Sequence, residues 1–97
     1  MMITREEILS ILAKGKPELQ RRFKVRKMAL FGAYARAEQC PGSDVDILVD
    51  VDPSIGLEFV TLARRIEALL GINVDLVSSR AVSSRAMKFI ESELIYV

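Results

Sequence analysis

The sequence predicts an α/β fold, a small mixed β-sheet flanked by helices. Three observations lead to this prediction: apolar residues recur at helical spacing in several segments, short β-branched apolar runs lie between them, and glycines stand where segments end. At 97 residues the chain has the size of one domain with its own core, so we expect residues 1–97 to form a single domain.

The N-terminal quarter is predicted to form two helices. Thr4 followed by Glu7 is a capping-box pattern, and apolar residues then recur at helical spacing until Gly15, where we expect the first helix to end. Pro17 favours the start of a second, short helix that runs to Phe23.

Strands and helices are predicted to alternate along the rest of the chain. Short apolar runs predict strands at Met28–Phe31, Val45–Val51 and Ile72–Val77. Helical spacing predicts helices at Ala33–Glu38, Phe59–Leu70 and Val82–Ile90. A turn is expected at Gln39–Gly42, and Gly71 is expected to end the long helix. Because a whole helix separates the second and third strands, we expect these two strands to be parallel neighbours.

The composition restricts the chemistry that the chain can perform. A single cysteine allows neither an internal disulfide nor a paired-cysteine zinc site, and the lack of histidine excludes Ser-His-Asp and Cys-His catalysis. Catalysis would therefore depend on carboxylates, Lys, Arg, Ser, Thr or Tyr. Since the sequence has no membrane-length apolar run and no signal-peptide pattern, we expect a cytoplasmic protein that does not contact membranes.

Charge is segregated along the chain although the net charge is only +1. The segment Lys14–Met28 carries seven basic residues and one acid, whereas Ala37–Ala63 carries six acids and no Lys or Arg. Such blocks are either solvated faces or sites for charged ligands. A nucleic-acid-binding module that uses Lys14–Lys27 is one alternative, which the low net charge and a single interleaved aromatic, Phe23, disfavour.

Three acids stand at positions that suggest a metal site. Asp44 and Asp46 are two residues apart at the start of a strand, so both side chains leave the same face. Asp75 interrupts the apolar third strand and is expected to point to that face as well. Carboxylate oxygens and phosphates are the ligands of Mg²⁺, so the acids suggest a two-metal site for phosphoryl transfer. The alternative is a turn cap with a solvated carboxylate.

A glycine turn precedes these acids. Gly32 ends the first strand and leads directly into a helix, an arrangement whose backbone N–H groups can bind phosphate oxygens. For Gly32 and Asp44 to share a site, the first two strands must be antiparallel. The ten-residue connection 34–43 is short enough for that pairing.

The spacing of these residues closely resembles a known family, the minimal nucleotidyltransferases of the DNA polymerase β superfamily. That family's pattern is Gly-Ser, ten residues, Asp-x-Asp and a third acid on a following strand. Here the matching segments are Leu30–Arg36, Ser43–Val49 and Val74–Val77. The resemblance extends from about Lys27 to Val77 and implies the polymerase β-like nucleotidyltransferase fold.

The resemblance also implies an activity, its cofactor and its site residues. Family members transfer a nucleoside monophosphate from an NTP to a hydroxyl and release pyrophosphate, so the implied substrate is ATP or another NTP. Two Mg²⁺ ions are implied, held by the catalytic residues Asp44, Asp46 and Asp75. The positions implied for nucleotide binding are Gly32, Ala33, Arg36 and Ser43. Stand-alone members resemble antitoxins that neutralise HEPN-domain toxins, in studied relatives by adding AMP to a tyrosine.

One departure from the family pattern affects the expected activity. Ala33 stands where the family has a serine that helps to hold the terminal phosphates, so we expect nucleotidyl transfer weakened by the loss of one hydroxyl donor. An antitoxin that acts only by stoichiometric binding is therefore an alternative. The pattern leaves open which NTP is used, which group accepts the nucleotide and whether the chain forms an oligomer.

Overall fold

The computed structural model describes residues 3–97, which form a four-stranded mixed sheet with helices, and this confirms the predicted fold class. The strands are β1 (Val25–Phe31), β2 (Val45–Val51), β3 (Val74–Ser78) and β4 (Ile95–Tyr96). The helices are α1 (Arg5–Phe23), α2 (Gly32–Ala35), α3 (Glu58–Leu70) and α4 (Ser84–Ile90). Short 3₁₀ turns lie at Pro53–Ile55, Ser79–Ala81 and Glu91–Glu93.

The strand order in the sheet is β3-β2-β1-β4. β2 and β3 are parallel, whereas β1 is antiparallel to both β2 and β4. Both predicted pairings are thus confirmed: the parallel pair joined through α3, and the antiparallel pair joined by the short connection after Gly32. As a result, the end of β1 lies beside the start of β2, and the start of β3 lies on the other side of β2.

One face of the sheet packs against α1 and α3 to form the core. β2 contributes Val45, Ile47, Val49 and Val51 to this face, and all four are buried. The helices contribute the buried residues Ile8, Leu12, Leu19, Phe23, Leu62, Ile66 and Leu70. Because strand side chains alternate between faces, Asp46 and Asp50 of β2 lie on the opposite face. We call the first the core face and the second the carboxylate face.

The prediction of two N-terminal helices is wrong, because α1 continues without interruption from Arg5 to Phe23. Pro17 removes one intrahelical hydrogen bond, to the carbonyl of Ala13, but Ala13 is exposed and water can solvate that carbonyl. Gly15 is retained inside the helix, where an added Cβ would lie only 2.9 Å from Leu69 Cδ1. Gly15 therefore allows α1 and α3 to approach closely rather than ending α1.

Several predicted boundaries also shift. β1 starts at Val25 rather than Met28. The pairing register is irregular between Val25 and Lys27, which breaks the two-residue alternation of buried and exposed side chains, so the charged residues there gave no strand pattern in the sequence. β3 covers Val74–Ser78 rather than Ile72–Val77. The helix predicted at Ala33–Glu38 is a single turn that ends by Ala37, whose positive φ of 57° cannot continue a right-handed helix.

The C-terminal segment differs from prediction in two ways. α4 begins at Ser84 rather than Val82, because the Ser83 side chain accepts a hydrogen bond from the backbone N–H of Ala86 and caps the helix there. β4 was not predicted, because it has only two residues and pairs only with Ala29 and Leu30 of β1. Within residues 3–97, no helix is both long and apolar enough to cross a lipid bilayer.

Candidate active site

The strand register brings the predicted acids to one end of the carboxylate face. Asp46 of β2 and Asp75 of β3 are direct partners in the parallel pair, and Asp46 also lies opposite Phe31 at the end of β1. Asp75 is exposed and Asp46 is partly buried. Asp44 is exposed and lies one residue before β2 begins. The predicted acids therefore lie on neighbouring strands, next to the glycine turn.

The charge of Asp46 is strongly affected by this arrangement. The pKa of Asp46 is raised from 3.8 to about 6, mainly by burial and next by repulsion from Asp75 and then from Asp44. A hydrogen bond with Asp75 adds to the increase, whereas the positive charge of Arg36 opposes it. Asp46 and Asp75 thus form a pair that readily shares a proton or a cation.

The three acids are not arranged as a complete ligand set. Across residues 3–97, no three His, Cys, Asp or Glu side chains stand close enough to hold a metal ion together. Asp46 and Asp75 approach each other, whereas Asp44 lines a neighbouring cavity of about 380 Å³ with Tyr34 and Leu70. A protein commonly supplies only one or two carboxylates to Mg²⁺, the other ligands being water and substrate phosphates, so the Asp46–Asp75 pair suits that ion.

Gly32 lies directly against the Asp46 carboxylate. Its φ is +77°, a conformation that favours glycine, and an added Cβ would lie 2.1 Å from Asp46 Oδ2. No other residue can take this position without moving the carboxylate. The glycine of the sequence motif is therefore required both by the turn and by the close approach of Asp46.

The other predicted nucleotide-binding residues have different surroundings. Ala33 is the second residue of α2 and is partly exposed beside the turn. Ser43 shapes the loop before Asp44: its Oγ accepts from the Cys40 N–H and its own N–H donates to the Cys40 carbonyl, each at 3.0 Å. Ser43 is thus already engaged in a turn.

Arg36 is held by two carboxylates of its own chain. Its Nη1 lies 2.7 Å from Glu93 Oε2, and its Nε lies 3.4 Å from Glu38 Oε2. The other oxygen of Glu93, Oε1, accepts a hydrogen bond from the N–H of Gly32 at 3.2 Å. Sequence reasoning missed Glu93 at the site because it lies 61 residues from Gly32, and no spacing pattern links the two.

The basic block of the sequence is partly neutralised within the fold. Glu18 binds Arg65 of α3 through two hydrogen bonds of 2.8 Å, and Arg22 lies 3.9 Å from the same carboxylate. The Arg65 hydrogen bond is the main reason that the pKa of Glu18 is lowered. Arg26 pairs with Asp52 at 3.3 Å. Of the basic block, Arg22 and Arg26 therefore have acidic partners within the domain, whereas Arg65, which forms the two short hydrogen bonds to Glu18, lies outside the block.

Similarity to known proteins agrees with this geometry. Residues 13–97 match the family described as Polymerase beta, Nucleotidyltransferase. The chain is 48% identical over 98 residues to the protein adenylyltransferase MntA of Thermococcus cleftensis, covering 99% of this chain and 98% of that protein.

Solved structures give the same result. A minimal nucleotidyltransferase superposes with a TM-score of 0.80 and 28% identity, covering 96% of this chain and 95% of the other. A chain from a crystal structure of the MntA–HpeT toxin–antitoxin superposes with a TM-score of 0.67 and 25% identity, covering 99% of this chain and 72% of that one. With this fold, and with a family match that includes the glycine turn and all three acids, the chain belongs to the polymerase β-type nucleotidyltransferases.

Proposed function

We propose that this protein transfers AMP from ATP to a hydroxyl group of a partner protein, with Mg²⁺ as cofactor. The observation that carries the proposal is the Asp46–Asp75 pair directly beside the Gly32 turn, which puts cation ligands next to backbone donors for phosphate. The name of the Thermococcus cleftensis relative, protein adenylyltransferase, supports AMP as the transferred group and a protein as the acceptor.

The residues at the site have separate roles in this reaction. Asp46 and Asp75 would hold Mg²⁺, together with Asp44 once its side chain turns toward them. When bound, Mg²⁺ neutralises phosphate charge and aligns the acceptor oxygen with the α-phosphate. The backbone N–H groups of Gly32 and Ala33 bind phosphate oxygens.

Nucleotidyl transfer forms one bond at the α-phosphorus of ATP and breaks another. The acceptor oxygen forms a bond to the α-phosphorus of ATP, the bond from that phosphorus to the bridging oxygen breaks, and pyrophosphate leaves with the bonding electrons. The hydroxyl proton moves to a carboxylate, for which Asp75 is suited because it is exposed and borders the site.

The partner in this proposal is a HEPN-domain toxin, and the protein acts as its antitoxin. Support comes from the structural similarity to a chain of the MntA–HpeT toxin–antitoxin and from the MntA name of the archaeal relative. In that role, AMP on a toxin hydroxyl would block the toxin.

A transfer assay tests the proposal. The purified protein is mixed with a HEPN-domain protein encoded beside it, ATP and Mg²⁺, and the partner is weighed by mass spectrometry. We expect the added mass of AMP. We also expect Asp46→Asn to lower the rate on the order of a thousandfold, since a lost cation ligand removes several kcal/mol of transition-state stabilisation.

Asp50→Asn is the matched control, because Asp50 lies on the same face of the same strand but pairs with Lys27 in the register, away from the site. Its rate should stay within about threefold of the unmodified protein, as for an ordinary surface substitution. If the partner gains no AMP, or if both variants are equally slow, the enzymatic proposal fails.

Stoichiometric neutralisation is the second candidate function. Two observations favour it: Ala33 has no hydroxyl for the phosphates, and Arg36 is already paired with Glu93 and Glu38. In a co-expression assay, full neutralisation of the toxin by Asp46→Asn would support this function. Loss of neutralisation by Asp46→Asn, with Asp50→Asn still active, would support catalysis instead.

A further inference from the structure

The Glu93 carboxylate binds two hydrogen-bond donors that nucleotide phosphates would otherwise use. Its Oε1 accepts the Gly32 N–H at 3.2 Å, and its Oε2 binds Arg36 Nη1 at 2.7 Å. Its side chain is 19% exposed, the least exposed carboxylate in the ion pairs of residues 3–97. One carboxylate of the C-terminal segment thus bridges the glycine turn and the arginine that follows it.

A carboxylate and a phosphate satisfy such donors in the same way. Both present anionic oxygens that accept hydrogen bonds from a backbone N–H and from a guanidinium group. A triphosphate that approached the turn with Glu93 in place would meet a donor already used, an arginine already neutralised and a like charge. The nucleotide can therefore use these groups only after the Glu93 carboxylate leaves them.

Building on the proposed function, we propose that Glu93 is an internal competitor of the triphosphate. Its carboxylate holds Gly32 and Arg36 when the nucleotide is absent and releases them when the phosphates bind. Glu93 therefore weakens nucleotide affinity, and nucleotide binding includes the release of the chain end, residues 93–97, from the glycine turn.

The position of Glu93 explains why its release would affect the chain end. It lies two residues before β4, which is only two residues long. Beyond the pairing of β4 with Ala29 and Leu30, the Val97 N–H donates to the Met28 carbonyl at 2.9 Å, and the Lys16 Nζ donates to the Val97 carbonyl. So short a strand gains much of its order from neighbouring contacts, and loss of the Glu93 contact should loosen it.

Binding of AMP-PNP with Mg²⁺, measured by isothermal titration calorimetry, tests the competition. Glu93→Gln keeps the side-chain size but removes the charge that binds Arg36, so we expect about tenfold tighter binding, in the range of one charged hydrogen bond. The control is Glu91→Gln, an exposed acid in the same 3₁₀ turn, which should change affinity by less than about twofold.

Three results would overturn the inference. Equal tightening by Glu91→Gln would indicate a general effect of net charge. Weaker binding by Glu93→Gln would mean that Glu93 holds Arg36 in place for the nucleotide. Unchanged affinity in Glu93→Gln, with normal binding by the unmodified protein, would contradict this inference alone. If neither protein binds AMP-PNP, the proposed function fails together with it.

Hydrogen exchange in the unmodified protein gives a second test that needs no substitution. If the phosphates displace Glu93, AMP-PNP should speed amide exchange at Tyr96 and Val97, although ligands ordinarily slow exchange near their sites. Slower or unchanged exchange in this segment, with AMP-PNP bound, would contradict the displacement.

Discussion

The two faces of the sheet are built from alternate residues of the same strands, yet their physical properties are opposite. On the core face, Val45, Ile47 and Val49 are completely buried beneath α1 and α3. On the carboxylate face, burial and repulsion raise the pKa of Asp46 to about 6 beside Asp75. The first face stabilises the fold by apolar burial, whereas the second combines buried apolar residues such as Leu48 with charged groups that lower stability.

This difference shows how a domain of 97 residues can hold a core and a site in one sheet. The two-residue period of a strand sends neighbouring side chains to opposite faces, so the core and the site use the same backbone without sharing side chains. Substitutions on one face should therefore affect stability, and substitutions on the other should affect chemistry. Four predictions test how strictly this separation holds.

The largest effect is expected at Gly32, where the backbone turn meets the Asp46 carboxylate. Gly32→Ala combines positive-φ strain with a collision against Asp46 Oδ2, so we expect a loss of about 3–4 kcal/mol in the free energy of unfolding. Gly42→Ala is the control, because Gly42 has φ +91° but open space around its Cβ position, and it should cost only about 1–2 kcal/mol. Urea denaturation measures both, and equal losses would contradict the collision.

Val49→Ala tests whether the core face contributes more to the free energy of unfolding than the carboxylate face does. Val49 is completely buried on the core face, and its truncation should lower the free energy of unfolding by about 2–3 kcal/mol. Val77→Ala, on the carboxylate face of β3 and only partly buried, should cost about 1 kcal/mol. Similar losses in thermal unfolding would mean that both faces contribute equally to stability.

Asp46→Asn should stabilise the protein when no divalent cation is present. Because folding raises the pKa of Asp46 from 3.8 to about 6, the ionised group destabilises the fold above pH 6 and this cost disappears toward pH 4. The full shift corresponds to about 3 kcal/mol, but Asp46 is partly exposed, so we expect a gain of about 1–2 kcal/mol at pH 8.

The same experiment at low pH checks the sign of this effect. In EDTA, the gain from Asp46→Asn should shrink as the pH falls from 6 to 4, because the unmodified carboxyl then becomes protonated in the folded protein. Asp50→Asn, on the same face but paired with Lys27 rather than with Asp75, serves as the control for a substitution that leaves the Asp46–Asp75 repulsion in place. A gain that persists unchanged at pH 4 would contradict the electrostatic cause.

Ala33→Ser should give the smallest effect and should increase activity. A hydroxyl beside the glycine turn restores one hydrogen-bond donor to a charged phosphate, with a net contribution of about 1.5 kcal/mol, which corresponds to roughly tenfold faster transfer. The mass-spectrometric transfer assay measures the rate. Unchanged transfer, with an unchanged melting temperature, would mean that the hydroxyl does not reach the phosphates in this protein.

Much of the fold could be predicted from local sequence. The apolar alternation of Val45–Val51 and the helical spacing of Phe59–Leu70 predicted β2 and α3 well, because burial imposes these periods directly. The continuity of α1 through Pro17 could not be predicted, since it depends on packing against α3. β4 escaped prediction because a two-residue strand has no period of its own.

The candidate site, like the fold, could be predicted from the sequence only in part. The motif spacing predicted that Asp46 and Asp75 would share a face and that Gly32 would adjoin them, because strand alternation and pairing follow from chain connectivity. Only the tertiary structure revealed that Glu93 joins Gly32 to Arg36. No local pattern connects residues so far apart in sequence.

The sequence by itself thus determined which residue types meet on each face of the sheet and the family to which they belong. The tertiary structure alone decided how their charges interact: the raised pKa of Asp46, and the carboxylate of Glu93 bound where phosphates are expected. The physical reason is that periodicity acts over a few residues, whereas electrostatic energy depends on distance and burial in the folded chain.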